Sequence, residues 1–426
     1  MNTQLHSGDA KEHWLYLNTL TNFEQFSLIP EEEQVSRAVE TDRVREYDIP
    51  KPKPEDLIRK AFARFTDQEI IPRAREMDEA GTFPRLMFEK LAKTGAFGMR
   101  YPKSLGGAGG NTTQFCVMVE EIARGSMSLA AITAMQCLMG TNFLYEYGTP
   151  DQHERLLKPA IRGEKVASFA LAEANASTDL GGVKTTAKRV GDHWLINGSK
   201  TWITNAPVAD FFIVLCQTDK TKKLKGLNFF LVERDTPGLH ISKNFEKLGT
   251  RSTEISELAF TDMRIPLENM LGEEDRGVDN LMRILSIIRV MTGALSLGLA
   301  RAAWDSSKRY AMERTQFGKK IGSFQLVQRK IANMATGIWA SNLMVYRAAE
   351  MIDLGQRPLK EASMAKYFAS EVACRAADEA TRIFGAYGYS MEYDVQRFYR
   401  DCRFLLFGGG TSEILQTIIS REYGVA

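Results

Sequence analysis

Histidine and cysteine are both scarce, with five of each in 426 residues. The histidines (His6, His13, His153, His193 and His240) are scattered, which excludes a histidine-based metal site of ordinary spacing. The cysteines (Cys116, Cys137, Cys216, Cys374 and Cys402) are odd in number, widely spaced and form no CxxC pair. That excludes a disulfide framework and a zinc knuckle, and leaves free thiols in a reducing, cytoplasmic setting as the expectation. Excess charge is also lacking: the formal net charge is +2, so no nucleic-acid partner is expected. No uninterrupted apolar run approaches the ~20 residues of a membrane span. The first stretch, "MNTQLHSGDAKEHWLYLNTL", carries acids and no apolar core, and resembles neither a secretory signal nor a transit peptide. Proline is sparse late in the chain, where only Pro358 falls between Pro266 and the C-terminus, so long helices are permitted there.

What is present is the composition of a soluble globular protein, 44% apolar and 25% charged. The length allows two or three domains. Residues 1–54 are polar and end in "DIPKPKPED", whose alternating prolines favour an extended linker. Residues 55–165 place apolar side chains at spacings of three and four, as in "EDLIRKAFARFTDQEII", and read as a helical domain. Texture changes over 166–276, where "HWLINGSKTWIT" sets Asn-Gly between strand-like runs, a hairpin signal, and "DFFIVLCQT" and "LNFFLVERD" follow. An antiparallel β domain, a barrel or sandwich, is expected. Residues 277–426 contain "VDNLMRILSIIRVMTGALSLGLARAAW", apolar on nearly all sides, followed by further helical stretches that imply a four-helix bundle. The fold class is α+β.

Five segments then become specific. "FALAEANASTDLGG", "KTWITNAPVADFFIV", "KLGTRSTEISELAFTDMRIP", "YAMERTQFGKKIGSFQLVQRKIANM" and "RIFGAYGYSMEYDVQRFYRDCRF" stand in this order. Together they resemble the acyl-CoA dehydrogenase family of FAD enzymes over residues 55–424. The resemblance implies a helical domain, a middle β-barrel and a C-terminal four-helix bundle, usually in a homotetramer. It also implies FAD as cofactor, an acyl thioester on CoA or on an acyl-carrier protein as substrate, and an electron-acceptor flavoprotein or oxygen as partner. By the same resemblance Phe169, Leu171, Ala172, Ser177 and Thr178 form the flavin loop, Trp202 lies against the isoalloxazine and Thr204 near its N5. Arg314 reaches the pyrophosphate of a neighbouring subunit's FAD with Phe317 beside it, and Gln325 lies near the adenine. Arg382 and Gly385 belong near the pyrophosphate, and Thr411, just after the catalytic turn, is also expected to contact the FAD.

The family base is a glutamate in a Y-E-G-T-like segment, and the matching position in "FGGGT" is Gly409. A minority branch carries the glutamate immediately before an arginine on a buried helix, and that position is Ile288. Neither residue can accept a proton. Glu413, Asp279, Glu173, Tyr387 and Tyr389 are the candidate substitutes, and the sequence singles out none. Ala172, Ser177, Arg382 and Ala386 also depart from the family pattern. Three readings stay open: a flavoprotein acting on an acyl thioester with an acidic α-proton or its own carboxylate, a flavin monooxygenase or oxidase, and an inactive partner subunit. FAD content separates the last from the others; oxygen consumption separates the first two.

Overall fold

The structure, a computed structural model, describes residues 53–425, so the expected linker in 1–54 lies almost wholly outside the described residues. Helix α1 (Lys53–Phe65) opens the first helical layer. Helix α2 (Thr112–Gly125) begins at a reciprocal cap: Asn111 accepts from the Gln114 N–H at 2.8 Å, and the Gln114 side chain accepts from the Asn111 N–H at 3.3 Å. Two acids on α2, Glu120 and Glu121, are fully buried and take guanidinium hydrogen bonds from Arg59 of α1 and from Arg301 further along the chain.

Eight strands form the middle layer: β1 (Ala167–Ala170), β2 (Thr186–Val190), β3 (His193–Thr204), β4 (Phe211–Gln217), β5 (Leu227–Glu233), β6 (Leu239–Ile241), β7 (Ile255–Pro266) and β8 (Met270–Leu271). The sheet order is β6-β7-β3-β2-β4-β5-β8, with β1 parallel to β4. Strands β4 and β5 are apolar on both faces because one face meets the helices and the other meets the sheet's own core. One expectation is corrected. Asn197-Gly198 makes no hairpin turn but lies inside the continuous strand β3, at a register shift against β7. A Cβ on Gly198 would sit 2.6 Å from Thr185 Cα, so the glycine serves a close strand approach. The turn joining β2 to β3 is Gly191-Asp192, with Gly191 at φ 59°.

The last layer comprises α3 (Gly277–Glu313), α4 (Gln325–Asp353), α5 (Leu359–Phe384), α6 (Val395–Leu405) and α7 (Ser412–Glu422). Helix α3 packs on α2, α4 and α5 and is the axis of the domain. It is long and apolar enough to cross a membrane, yet 78% of its apolar window is buried inside the protein, the behaviour of a core helix. A Cβ on Gly298 would lie 2.1 Å from the Glu120 carbonyl, so that glycine sets how closely α2 and α3 approach.

Candidate functional site

Between α6 and α7 the chain turns through Leu406–Gly410, and Thr411 caps α7 by accepting from the Ile414 N–H at 3.3 Å. Gly409 has φ 72° and Gly410 φ 107°, the left-handed region where a side chain is strained. The turn is tied down by Lys366 of α5. Its side chain is fully buried, and the ammonium donates to the Gly410 carbonyl at 2.6 Å and the Leu406 carbonyl at 3.3 Å. Desolvation pulls Lys366 down to about 8.

A Cβ built on Gly409 would lie 3.1 Å from Thr292 Oγ1 and 3.6 Å from Ile288 Cγ2. The two alternative base positions therefore open onto one spot from different elements, and neither supplies a carboxylate. Arg289, next along α3, is 5% exposed. Its Nη1 donates to Ser363 Oγ of α5 at 3.2 Å, its Nε has no partner, and no acid among the described residues pairs with it. Burial alone pushes its guanidinium down. Along the N-terminal part of α3, a separate cavity of about 640 Å³ is lined by Ser286 and Ile287, and by Arg276, Arg283 and Arg357, with Asp279 and Glu422 also on its wall; neither Gly409 nor Ile288 lines it.

The other expected residues fall into two groups. In the first, the Thr201 N–H donates to the Ala172 carbonyl at 2.9 Å and Ser168 Oγ donates to the Thr204 carbonyl at 2.6 Å. These bonds bring Phe169, Leu171 and Ala172 beside Trp202 and Thr204. Trp202 is 62% exposed at φ 60° on a bulged stretch of β3 and touches Phe245 edge-on. Phe169 stacks against Phe143 and Phe229, which also touch each other, and Ser177 and Thr178 are exposed on the following loop. The second group gathers at the far end of α3. Arg314 ends that helix and lies over the Tyr387 ring, close to Gly385, and no acid among the described residues pairs with it. Phe317 is 92% exposed at φ 51° at the tip of a short hairpin that pairs Thr315–Gln316 with Lys319–Lys320, edge-on to Phe324, next to Gln325 at the start of α4. Arg382 is held by Asp378 on its own helix at 2.6 Å. No hydrogen bond, ion pair or ring contact among the described residues joins the two groups.

Each substitute base has another occupation. Glu173 accepts from Lys200 at 2.8 Å and from the N–H groups of Lys184 and Thr185 at 2.7 and 3.0 Å. Burial would raise its carboxyl, but Lys200 and these bonds hold it low. Asp279 pairs with Arg276 at 3.1 Å. Glu413 is exposed in the first turn of α7, where its own N–H and Thr411 lower its carboxyl. Tyr389 is 95% exposed and Tyr387 lies under Arg314. Sequence reasoning missed Lys366, Ser363 and Thr292. The one available signal was a lysine in the small-residue helical run "EASMAKYFAS".

Family models fit nearly the whole described chain: the acyl-CoA dehydrogenase N-terminal domain over 52–164, the middle domain over 168–263 and the C-terminal domain over 275–424. The chain is 50% identical over 366 residues to benzylmalonyl-CoA dehydrogenase of Aromatoleum aromaticum, covering 86% of this chain and 96% of that one. It is 40% identical to a subunit of the caffeyl-CoA reductase-Etf complex of Acetobacterium woodii, covering 85% and 96%. Butyryl-CoA dehydrogenase from Megasphaera elsdenii matches in structure with a TM-score of 0.85 at 34% identity, covering 88% of this chain and 99% of that one.

Proposed function

From the premise that this chain belongs to the acyl-CoA dehydrogenase family, and is thus an FAD-dependent oxidoreductase of acyl thioesters, we propose that its substrate carries a carboxylate on the α-carbon, as a 2-substituted malonyl thioester does. The carrying observation is the spot between Gly409 and Ile288, where both base positions meet and neither holds a proton acceptor. The relative at 50% identity has a malonyl thioester in its name.

The residues fit FAD. Trp202 offers an exposed ring face beside Thr204, and Arg314 is a cation with no acid partner near Gly385, whose missing side chain leaves open space. When bound, the flavin takes up a hydride. The protein's own part is to position and to exclude water. The arginine-lined cavity suits the phosphates of CoA. At the turn, the apolar Ile288 and bare Gly409 leave room for the α-carbon. There the α-carbon–carboxylate bond breaks and CO2 departs with no proton removed by the protein. The electron pair of that bond closes the α,β double bond as the β-hydride leaves.

The test is anaerobic flavin reduction. A 2-arylalkyl- or 2-alkylmalonyl-CoA is expected to bleach the flavin and release about one CO2 per two electrons. The matching acyl-CoA without the carboxylate is expected to be slower by a hundred-fold or more, the usual contribution of a positioned base. Equal rates for the pair, or bleaching without CO2, would refute the reading.

The exposed Phe317, Trp202 and Tyr389 and the separation of the two residue groups support a homo-oligomer in which Arg314 and Gln325 complete a neighbour's FAD site. Light scattering on the purified protein should give a dimer or tetramer. Arg314→Ala should lower the FAD-to-chain ratio after gel filtration from about one. A monomer that retains FAD tightly would contradict this arrangement.

A further inference from the structure

We propose, building on the reading above, that the space beside Gly409 is a carboxylate-binding subsite in which the Arg289 guanidinium is the counter-charge of the substrate's own α-carboxylate. A guanidinium cannot shed its proton to escape burial. A buried cation without an anion is costly, and the cost is relieved by bringing an anion to it. Arg289 is such a cation: it is buried, one of its nitrogens is without a partner, and its recorded side-chain hydrogen bond goes to a neutral serine hydroxyl. Lys366 lies one helical turn from that serine and is a second buried cation, bonded to the carbonyls of Gly410 and Leu406. The acids nearest Lys366 are Glu371 and Glu413. Glu371 accepts from Ser412 at 2.8 Å, Glu413 is exposed, and neither makes an ion pair with Arg289 or Lys366.

Lys366 thus holds a turn from which the side chain has been removed, and Arg289 adjoins on α3 the Ile288 that faces this turn. A glutamate at 409 or 288 would have brought one negative charge to this neighbourhood. A substrate carboxylate brings the same charge to the same place. The two walls have different effects. Arg289 selects and orients the carboxylated thioester, which lowers KM. It also stabilises the carboxylate, which does not by itself speed bond breaking. Ile288, whose methyl group faces Gly409, gives the departing neutral CO2 an apolar surface. As above, CO2 leaves, the electron pair of the broken bond becomes the α,β double bond, and the β-hydride would go to the oxidant, the FAD of the family activity.

The experiment compares malonyl-CoA with acetyl-CoA on the FAD-loaded protein by titration calorimetry. The two differ by one carboxylate, and neither has a β-hydrogen to give up. Wild type is expected to bind malonyl-CoA at least tenfold more tightly. Arg289→Gln should erase that preference while leaving acetyl-CoA binding in place, and Arg289→Lys should keep part of it. Gly409→Glu, which fills the subsite with the protein's own carboxylate, should erase it as well and covers the case in which Arg289→Gln does not fold. In turnover with a 2-substituted malonyl thioester, Arg289→Gln should raise KM more than it lowers kcat. Equal binding of the two probes by wild type, or equal weakening of both by Arg289→Gln, would overturn the subsite. If 2-substituted malonyl thioesters still release CO2 in that event, the proposed function survives and only the role of Arg289 falls. If no such thioester releases CO2, the function fails, whatever the calorimetry shows.

Discussion

Gly409→Glu is expected to give the protein ordinary acyl-CoA dehydrogenase activity, raising anaerobic flavin reduction by an acyl-CoA without an α-carboxylate by a hundred- to ten-thousand-fold. That is the range a positioned general base contributes, equivalent to ~3–5 kcal/mol of barrier at about 1.4 kcal/mol per tenfold. The added Cβ enters at φ 72° and 3.1 Å from Thr292 Oγ1, so the variant should also lose about 1 kcal/mol of stability or more. Adding Thr292→Ala removes the tight contact and should recover part of that loss. Ile288→Glu brings its carboxylate to the same spot from a buried helix and should be the weaker rescue. A Gly409→Glu protein that folds, holds FAD and binds a thioester yet reduces no faster would mean that the α-carbon does not lie at this turn.

The second large effect concerns stability. Glu121→Gln is expected to cost about 3–5 kcal/mol, read as a lower denaturant midpoint at constant slope. Glu121 is buried and accepts from Arg59 at 2.6 Å, Arg301 at 2.7 Å and Arg124 at 2.9 Å. Removing its charge leaves three guanidiniums to share the remaining acceptors between α1, α2 and α3. The pH dependence has a definite sign. Burial and the adjacent Glu120 push the Glu121 carboxyl up, and the guanidiniums of Arg301, Arg59 and Arg124 outweigh them, so it is held below its ordinary value. Its contribution is therefore present above the unfolded-state pKa of ~4.3 and is lost as pH falls through the lower folded value. The wild-type midpoint should drop in that acid window, and the Glu121→Gln midpoint should drop less. Parallel acid limbs would show that the cluster does not depend on this charge.

Much of this was legible in the chain because it is local. The apolar surround of residues 277–313 announced a buried helix, and "WITN" and "ERTQFG" marked positions that the structure places on exposed, strained backbone. The misreading at Asn197-Gly198 has a tertiary cause. The glycine is demanded by Thr185 across the sheet, and pair statistics within one strand carry no trace of a neighbour eleven or more residues away. The environment of Arg289 was hidden for a similar reason. What distinguishes it is that no acid among the described residues pairs with it, and only the packing of α3 against α5 defines which side chains could reach it. The purpose of Lys366 was equally out of reach, since its acceptors are backbone carbonyls some forty residues onward.

That two elements, a helix and a turn far apart in sequence, open onto one spot has a consequence for descent. A lineage can shift its proton acceptor from one to the other, or dispense with both, by single substitutions that leave the helix, the turn and the cofactor frame in place. Reaction type can then be inherited separately from scaffold, and ancestry read from overall likeness will group chains that no longer break the same bond.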